Sequence, residues 1–406
     1  MQSNEEDRVA RPVAPAGSRG TTTRHGRRRI GQSRRWRLIL RVVAAIVATF
    51  LLVTGWSVGH ALTVPGGGTF SERLAEWART HYLGPAVTFG EWLTYTAPKR
   101  GGNPTIAFNK QGGKAVQATK QSTHHQGFVP IIPPRVASPA GKPLPGEGVW
   151  KVAVSVHGHP ALLKTYVRQS KTYSSYYVGI VSMDQRLLKF GLRPGTEDPG
   201  YGHWGVPMDI PPGSRRGLVA TFNSGFRVYA AGGGIYLHGH YDGTLVKGAA
   251  SEVYYKNGHM AIGRWGHGPL RMGPNIAAVR QNLKPIVING QVPATVDQNV
   301  LSSWGATLGG GYDVWRSGIG ITKDHRIIFV YGDALSVRVL ADLLKRAGCV
   351  TAMELDINPD WMSFMYYLPR NHPNNPTPVN LLHNQLQSPY RYYSISNRDF
   401  TAVFAR

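Results

Sequence analysis

An uncharged apolar stretch near the N-terminus constrains this chain more than any other feature. Residues 42–58 read VVAAIVATFLLVTGWSV, and neighbouring apolar residues extend the stretch to 38–62. About 20 such residues span the hydrocarbon core of a bilayer, and a charge among them would cost about 2.5–3.5 kcal/mol. The sequence therefore predicts a transmembrane helix over residues 38–62, with the lipid bilayer as its partner.

Arginines crowd the residues just before this stretch. Residues 1–41 contain 11 arginines, no lysine and three acidic residues. Because basic residues hold their side of a span in the cytoplasm, residues 1–37 are predicted to be a basic cytoplasmic tail. The chain is then a single-pass protein of the cell membrane, with its C-terminal domain outside the cytoplasm. The alternative is a cleaved signal peptide, which has a shorter polar start and an apolar core of about 7–15 residues.

Positive charge continues beyond the tail. The net charge is +24, and residues 42–406 carry 35 basic and 19 acidic residues, a net charge of +16. This excess favours anionic partners, which outside a cell are anionic or phosphorylated surface glycans; a solubilising surface charge would explain it equally. No nucleic-acid-binding motif occurs, so nucleic acid is not predicted as a partner. Cys349 is the only cysteine, so no intramolecular disulfide supports the domain.

The residues after the predicted transmembrane helix fall into three segments of different composition. Residues 63–97 carry apolar side chains at helical spacing up to Gly84-Pro85, which predicts an amphipathic juxtamembrane segment. Residues 98–147 are rich in proline and glycine, which predicts a linker. Residues 148–406 are numerous enough to bury one sizeable core and are predicted to form one domain.

Short strand patterns dominate residues 148–406. The segment EVYYKNGHMAIG predicts a hairpin, because Asn257-Gly258 suits a tight turn. One strong helical pattern, SVRVLADLLKRAG, ends at Gly348 and precedes the buried strand CVTAMELDI. The sequence therefore predicts an α+β fold, with a mixed, mainly antiparallel sheet and few helices after a single transmembrane helix.

Two carboxylates stand at the end of that buried strand. Glu354 and Asp356 are two residues apart, so on a strand they would share one face. Neighbouring like charges separate the two pKa values and thereby the roles of acid and base. The alternative is structural: Asp356 caps the following turn and Glu354 pairs with an arginine.

Two other strand ends carry polar residues. Asn223 and Gly225 follow an apolar strand, where binding sites often form, although an ordinary turn has the same sequence. Arg316 and Ser317 open the strand GIGIT. The planar guanidinium group suits a phosphate, and a surface salt bridge is the alternative for Arg316.

Histidines provide the candidates for a metal site. His238 and His240, with Asp242 nearby, would face one side of a strand and could ligate a divalent metal ion; a polar loop is the alternative. Neither the His-Glu-x-x-His pattern of zinc peptidases nor the Gly-x-Ser-x-Gly pattern of serine hydrolases occurs. No cofactor is predicted with certainty, and a divalent metal is left open.

An ordered set of motifs resembles the phosphodiester glycosidase family over roughly residues 148–406. The set is FNSGFR at 222–227, WRSGIGITKDHRIIFVYGD at 315–333, a Leu-Ala-x-Leu-Leu helix and AMELD at 352–356. The resemblance implies hydrolysis between a sugar anomeric carbon and a phosphodiester. It implies that Asp356 stabilises or attacks the anomeric centre, with Glu354 as second acid or base. The substrate-binding residues that it implies are Asn223, Gly225, Arg316 and Ser317.

The chain departs from the family after Asp356. The Asp-Gly-Gly-Gly-Ser loop of the family is replaced by residues 357–363, INPDWMS. In its place we expect Trp361 to stack on a sugar and Asp360 to supply a polar contact. Two further hypotheses keep the same fold: a catalytically silent glycan-binding protein, and a partner in exopolysaccharide assembly.

Overall fold

Helices occupy the N-terminal part of the protein. The computed structural model describes residues 29–63, 70–94, 96–116, 128–298, 304, 313–369 and 372–406; residues 1–28 of the predicted tail lie outside them. The helices here are α1 (Arg29–Thr63), α2 (Phe70–Ala78), a π-helical turn (Arg79–Leu83) and α3 (Gly84–Thr94). Residues Arg34–Thr63 are apolar enough and long enough to cross a membrane, and none of their most apolar window is buried. Membrane anchors and signal sequences both have helices of this length and composition.

Three antiparallel sheets form the domain that follows. The seven-stranded sheet contains, in spatial order, β1 (Lys151–Val156), β2 (His159–Arg168), β3 (Tyr177–Met183), β13 (Ile327–Leu335), β12 (Val314–Thr322), β14 (Cys349–Glu354) and β11 (Pro285–Val287). One five-stranded sheet contains β7 (His240–Asp242), β6 (Ile235–Leu237), β10 (Ile276–Gln281), β8 (Ala250–Tyr255) and β9 (Met260–Arg264). The other contains β16 (Thr377–Asn380), β15 (Phe364–Leu368), β5 (Leu218–Asn223), β17 (Phe400–Ala405) and β4 (Leu188–Arg193).

The predicted fold class is confirmed, and so are its clearest local elements. Hairpin β8–β9 turns at Asn257-Gly258, and β12 pairs with β13 in antiparallel register. The predicted helix is α4 (Val337–Arg346). Ser336 caps its N-terminus, and the hydroxyl oxygen of Ser336 accepts the backbone N–H of Val339. A capping hydroxyl of this kind satisfies an N–H that the helix itself leaves unpaired. Gly348 ends the helix with a φ of 95°.

Side chains from the sheets form two main cores. The larger core contains the rings of Phe222, Phe329 and Phe364, with centroids 5.1–5.8 Å apart, and it joins β5 and β15 to the seven-stranded sheet. The second core lies between that sheet and α4, whose residues Leu340 and Leu344 are fully buried. Because successive side chains of a strand point to opposite faces, each central strand contributes to both cores.

Segment 98–147 packs on the domain wherever the structure describes it. Phe108 and Val136 are 2% and 1% exposed, and the buried carboxylate of Glu147 pairs with Arg168 at 3.0 Å. A segment that buries such side chains is held against the sheets over these residues and is not a free spacer there. The predicted domain boundaries, 147/148 included, stay predictions.

Gly148 provides a test of this packing. Its φ is +73°, and a Cβ atom there would lie 2.0 Å from the carbonyl oxygen of Val136. We expect Gly148→Ala to lower the free energy of unfolding by about 1–3 kcal/mol through backbone strain, and by more through this contact. Gly158→Ala is the matched control, because Gly158 has a φ of +79° with nothing near its Cβ position. Equal losses in urea unfolding of the two variants would contradict the packing of segment 98–147.

Candidate active site

Residues from three strand segments meet at one place. Asn223 ends β5, Ser317 lies in β12, and Asp356 follows β14 by two residues. The Asn223 amide donates to Ser317 Oγ at 3.0 Å, and Ser317 Oγ donates to the backbone oxygen of Asp356 at 2.9 Å. Asn223 Oδ1 accepts the backbone N–H of Ser363 at 3.1 Å. The sequence motifs of three separate segments are therefore joined by hydrogen bonds between buried groups.

Asp356 has partners on both carboxylate oxygens. Oδ1 accepts the backbone N–H groups of Ile357 and Asn358 at 2.7 and 2.9 Å, so the residue does cap the following turn. Oδ2 accepts from Arg398 Nη2 at 3.3 Å. Arg398 also donates to the carbonyl oxygen of Gly225 at 3.2 Å, which ties Asp356 to the turn after β5. These contacts hold the carboxylate in one orientation.

A buried cluster of alternating charge supports Arg398. Asp198 lies 3.7 Å from Arg398 Nε and 3.5 Å from Arg280 Nη2. Arg280, which is fully buried, also pairs with Asp399 at 2.8 Å. Buried charges persist only when paired and hydrogen-bonded, so this cluster keeps Arg398 charged beside Asp356. We refer to Asp198, Arg280, Asp356, Arg398 and Asp399 as the charge cluster.

Glu354 and Arg316 lie on the other face of the seven-stranded sheet. Arg316 Nη1 lies 2.5 Å from Glu354 Oε1, and Arg316 Nε donates to the carbonyl oxygen of Leu335 at 2.8 Å. Ala352 lies two residues before Glu354 in β14, so both side chains point to the same face, and Ala352 packs in the core beneath α4. Because Arg316 and Ser317 are adjacent in a strand, they point to opposite faces. The structural alternative for Glu354, pairing with an arginine, is thus what the structure shows.

This arrangement bears on two expectations from the sequence. Glu354 and Asp356 have separate arginine partners, Arg316 and Arg398, and the charge of Asp356 still adds to the rise in the pKa of Glu354. Arg316 is 2% exposed and bound to Glu354, so its position does not support a role in holding phosphate. The catalytic and binding roles assigned to the individual residues stay predictions.

Gly225 matters for packing at the site. A Cβ atom at this position would lie 2.7 Å from Cγ of Asn282. Asn282 in turn donates to the backbone oxygens of Glu354 and Leu355 at 2.9 and 3.1 Å, and accepts the N–H of Phe226 at 3.1 Å. The absence of a side chain at Gly225 therefore lets Asn282 connect the β5 turn to the end of β14.

Residues 357–363 connect β14 to β15. Trp361 is 5% exposed, and the guanidinium carbons of Arg391 and Arg398 each lie 5.3 Å from its ring centroid. Its ring is therefore largely covered by arginines, an arrangement that cation–π attraction favours. Asp360 is placed in the same turn by its backbone, whose N–H donates to Asn358 Oδ1 at 2.9 Å and whose oxygen accepts from Gln387 at 2.6 Å.

The histidine pair does not share one face of a strand. His238 occupies the turn between β6 and β7 with a φ of 47°, and His240 begins β7. Both side chains are exposed, as the polar-loop interpretation requires. Among the described residues, no group of three or more His, Cys, Asp or Glu side chains is arranged to hold a metal ion.

Burial dominates the titration of the site. It raises the pKa of Asp356, and the positive charge of Arg398 opposes that rise. Burial likewise raises the pKa of Glu354, against the opposing charge of Arg316. Burial lowers the pKa of Arg398, and the charges of Asp356 and Asp198 raise it. The resulting pKa lies above the ordinary value of arginine. Asp356 is therefore a carboxylate whose charged form depends on Arg398.

Glu252 of β8 leads to a pH prediction. It is fully buried, and Ser224 Oγ donates to its Oε2 at 3.4 Å. Burial, followed by the charge of Asp399, raises its pKa from 4.5 to about 8. Between these two pH values the unfolded chain loses a proton that the folded protein keeps, so this residue makes stability fall as pH rises, by about 1.4 kcal/mol per pH unit.

We expect Glu252→Gln to remove this slope. As the pH rises from 5 to 8, the unfolding free energy of the variant should therefore increase relative to that of wild type. Urea unfolding of the detergent-solubilised chain at several pH values measures it. Parallel pH dependences for the two proteins would contradict the raised pKa of Glu252.

The charge cluster contains residues that sequence reasoning missed. Asp198, Arg280 and the pair Arg398-Asp399 come from three distant parts of the chain. The polar run Asn397-Arg398-Asp399 directly before the last apolar strand was a usable signal, since charged residues beside a buried strand need partners. Nothing in the local sequence distinguishes Asp198 or Arg280.

Comparison with known proteins agrees with these motifs. Residues 216–356 match the family model described as phosphodiester glycosidase. No curated protein matches the chain. One similar solved structure is the zebrafish N-acetylglucosamine-1-phosphodiester alpha-N-acetylglucosaminidase catalytic domain, described as auto-inhibited by its pro-peptide: identity is 13%, the TM-score 0.37, and the match covers 63% of this chain and 87% of that one. Another is a hypothetical protein from Synechocystis, with 12% identity, a TM-score of 0.33, and coverage of 63% of this chain and 65% of that one.

The matched residues include β5, β12, α4 and β14, and with them Asn223, Ser317 and Asp356. The resemblance of this chain to the phosphodiester glycosidase family is thereby confirmed over residues 216–356.

Proposed function

We propose that this protein is a membrane-anchored, extracytoplasmic hydrolase that cleaves the bond between a sugar anomeric carbon and a phosphodiester in a surface or exopolysaccharide glycan. The observation that carries the proposal is the joining of Asn223, Ser317 and Asp356 within the family-matched segment. The net charge of +16 on residues 42–406 suits an anionic substrate.

The chemistry follows from the oriented carboxylate. A glycosyl phosphodiester has a phosphate monoester as its leaving group, which is stable as an anion and needs little protonation. The main requirement is stabilisation of the positive charge that develops at the anomeric carbon, which a carboxylate supplies as nucleophile or as counter-charge. Asp356 is the carboxylate in this proposal, with Arg398 positioning it and Asn223 and Ser317 forming the wall beside it.

One observation favours the silent glycan-binding protein as a second candidate. Both oxygens of Asp356 already accept hydrogen bonds, and Trp361 is largely covered by arginines. A site closed in this way would bind a glycan at its rim, and Asp356 would not reach the anomeric carbon of that glycan.

The deciding experiment is an assay of the full chain in detergent on sugar-1-phosphodiesters. Phosphorus NMR distinguishes a phosphodiester from the monoester that hydrolysis releases. The methyl glycoside of the same sugar, which lacks the phosphate, is the substrate control. Release of monoester with no cleavage of the methyl glycoside is the expected result. Saturable, salt-sensitive binding without monoester would overturn the hydrolase in favour of the silent protein.

A further inference from the structure

Helix α2 contacts Arg227, which lies close to the candidate site in the chain. The side chain of Glu76 is 13% exposed and forms an ion pair with Arg227 Nε, while Arg227 Nη2 donates to Glu197 at 2.7 Å. Arg227 lies two residues after Gly225, whose carbonyl accepts from Arg398. The negative charge of Glu76 also adds to the rise in the pKa of Asp356. The segment that follows α1 therefore lies close to the charge cluster.

The same helix is tied to the last turn of α1. Arg73 Nη1 donates to the carbonyl oxygen of Leu62 at 2.7 Å, and Leu62 is the second-last residue of α1. Arg73 and Glu76 are three residues apart, about 4.5 Å along a helix axis. Two side chains within one helical turn of α2 thus contact Leu62 and Arg227.

Apolar side chains make up part of the remaining exposed surface of this segment. In α2, Phe70 and Leu74 are 68% and 38% exposed and lie about 40° apart around the axis, whereas Glu76 lies about 160° from Leu74. In α3, Phe89 and Leu93 have the same four-residue spacing and are 59% and 63% exposed. Helices with one apolar and one polar face lie in the plane of a membrane surface. Since α2 begins only seven residues after α1 ends, the bilayer surface is close enough to cover these apolar side chains.

We propose, on the basis of the function proposed above, that α2 and α3 lie on the bilayer surface and hold the site there, so that its substrate is a lipid: a sugar joined through a phosphodiester to an apolar chain. In the reaction, water adds to the anomeric carbon and the bond from that carbon to the phosphate oxygen breaks. The products are the free sugar, the lipid phosphate monoester and one proton. The lipid keeps the phosphate, and the sugar leaves the membrane.

The test compares two substrates on the full chain reconstituted in phospholipid vesicles. One is a sugar-1-phosphodiester of a long-chain alcohol within the same vesicles, and the other carries a short, water-soluble alkyl group. We expect kcat/KM for the long-chain substrate to be at least 10-fold higher. The double variant Phe70→Ser, Phe89→Ser keeps α1 and should lose this preference while hydrolysing the soluble substrate at the wild-type rate.

The outcomes separate the two proposals. Equal turnover of both substrates by wild type, or a preference unchanged in the variant, would overturn the lipid substrate and leave the hydrolase standing. Turnover of neither substrate would overturn the hydrolase and the lipid substrate together.

A second measurement tests the membrane contact without any activity. The sole native thiol, Cys349, is 2% exposed, so a thiol-reactive environment-sensitive dye labels an introduced cysteine selectively. Phe89→Cys should report an apolar environment in vesicles, and Met272→Cys, at a residue 41% exposed in the sheet domain, should report water. An aqueous signal at residue 89 would show that α3 does not contact lipid and would overturn the proposal.

Discussion

Replacing Asp356 by asparagine is expected to reduce the release of sugar from a sugar-1-phosphodiester about 10²- to 10⁴-fold, the range typical for removing a group that acts in the transition state. Asparagine keeps the shape, and its Oδ1 can still accept the backbone N–H groups of Ile357 and Asn358. Its Nδ2, however, is a donor at the position where Asp356 Oδ2 accepts from Arg398, and the side chain carries no charge to stabilise the anomeric centre. The loss should appear mainly in kcat, because the interaction strengthens as charge develops. Initial rates of monoester release over a range of substrate concentrations measure it.

Loss of stability is the competing explanation for such a result, because Asp356 is a buried partner of Arg398. Asp184→Asn is the matched control: Asp184 is also buried and pairs with Arg326 at 3.0 Å and with Arg186 at 2.7 Å. Both variants should unfold at lower urea concentration than wild type, and only Asp356→Asn should lose activity while folded. An Asp356→Asn protein that hydrolyses at the wild-type rate would remove Asp356 from the mechanism.

The second large effect concerns Glu354 and Arg316. Removing one partner of a buried ion pair leaves the other charge buried without compensation, which typically costs about 3–5 kcal/mol. We therefore expect Glu354→Gln and Arg316→Met each to lower the unfolding free energy by that amount. The double variant should lose clearly less than the two single losses combined, because it leaves no unpaired charge. Urea unfolding of the four proteins measures the coupling.

The exposed pair Arg338–Asp297 is the control for this cycle. Its side chains are 34% and 58% exposed, and a pair at the surface contributes only about 0–1 kcal/mol. Asp297→Asn should therefore change stability little. Additive losses at Glu354 and Arg316 would contradict their pairing, and an active, destabilised Glu354→Gln protein would establish Glu354 as a structural residue.

Local sequence patterns predicted the elements that local physics determines. The Asn257-Gly258 turn, the helix from Val337 to Arg346 and the strand before Glu354 each depend on residues within a few positions of one another. The same local logic failed at Asp356, since alternation along a strand places it beside Glu354 only if the pairing stays regular. After Glu354, Leu355 and Asp356 both bond to the backbone of Ser317 in β12, so two residues oppose one, as in a β-bulge, and the alternation is broken. Asp356 then accepts the next two backbone N–H groups in a turn.

By itself, the sequence determined that the chain has one apolar helix able to cross a membrane, followed by a mainly antiparallel α+β domain with the motifs of phosphodiester glycosidases. Only the tertiary structure decided which charges pair. Arg398 pairs with Asp356, 42 residues away in the chain, and Arg280 pairs with Asp399, 119 residues away. The periodicity of a helix or strand predicts no contact over such separations. A buried charge needs a partner, but which residue becomes the partner depends on which strand ends the sheets bring together. The sheet also places the side chains of Arg316 and Ser317, which are neighbours in the chain, on opposite faces.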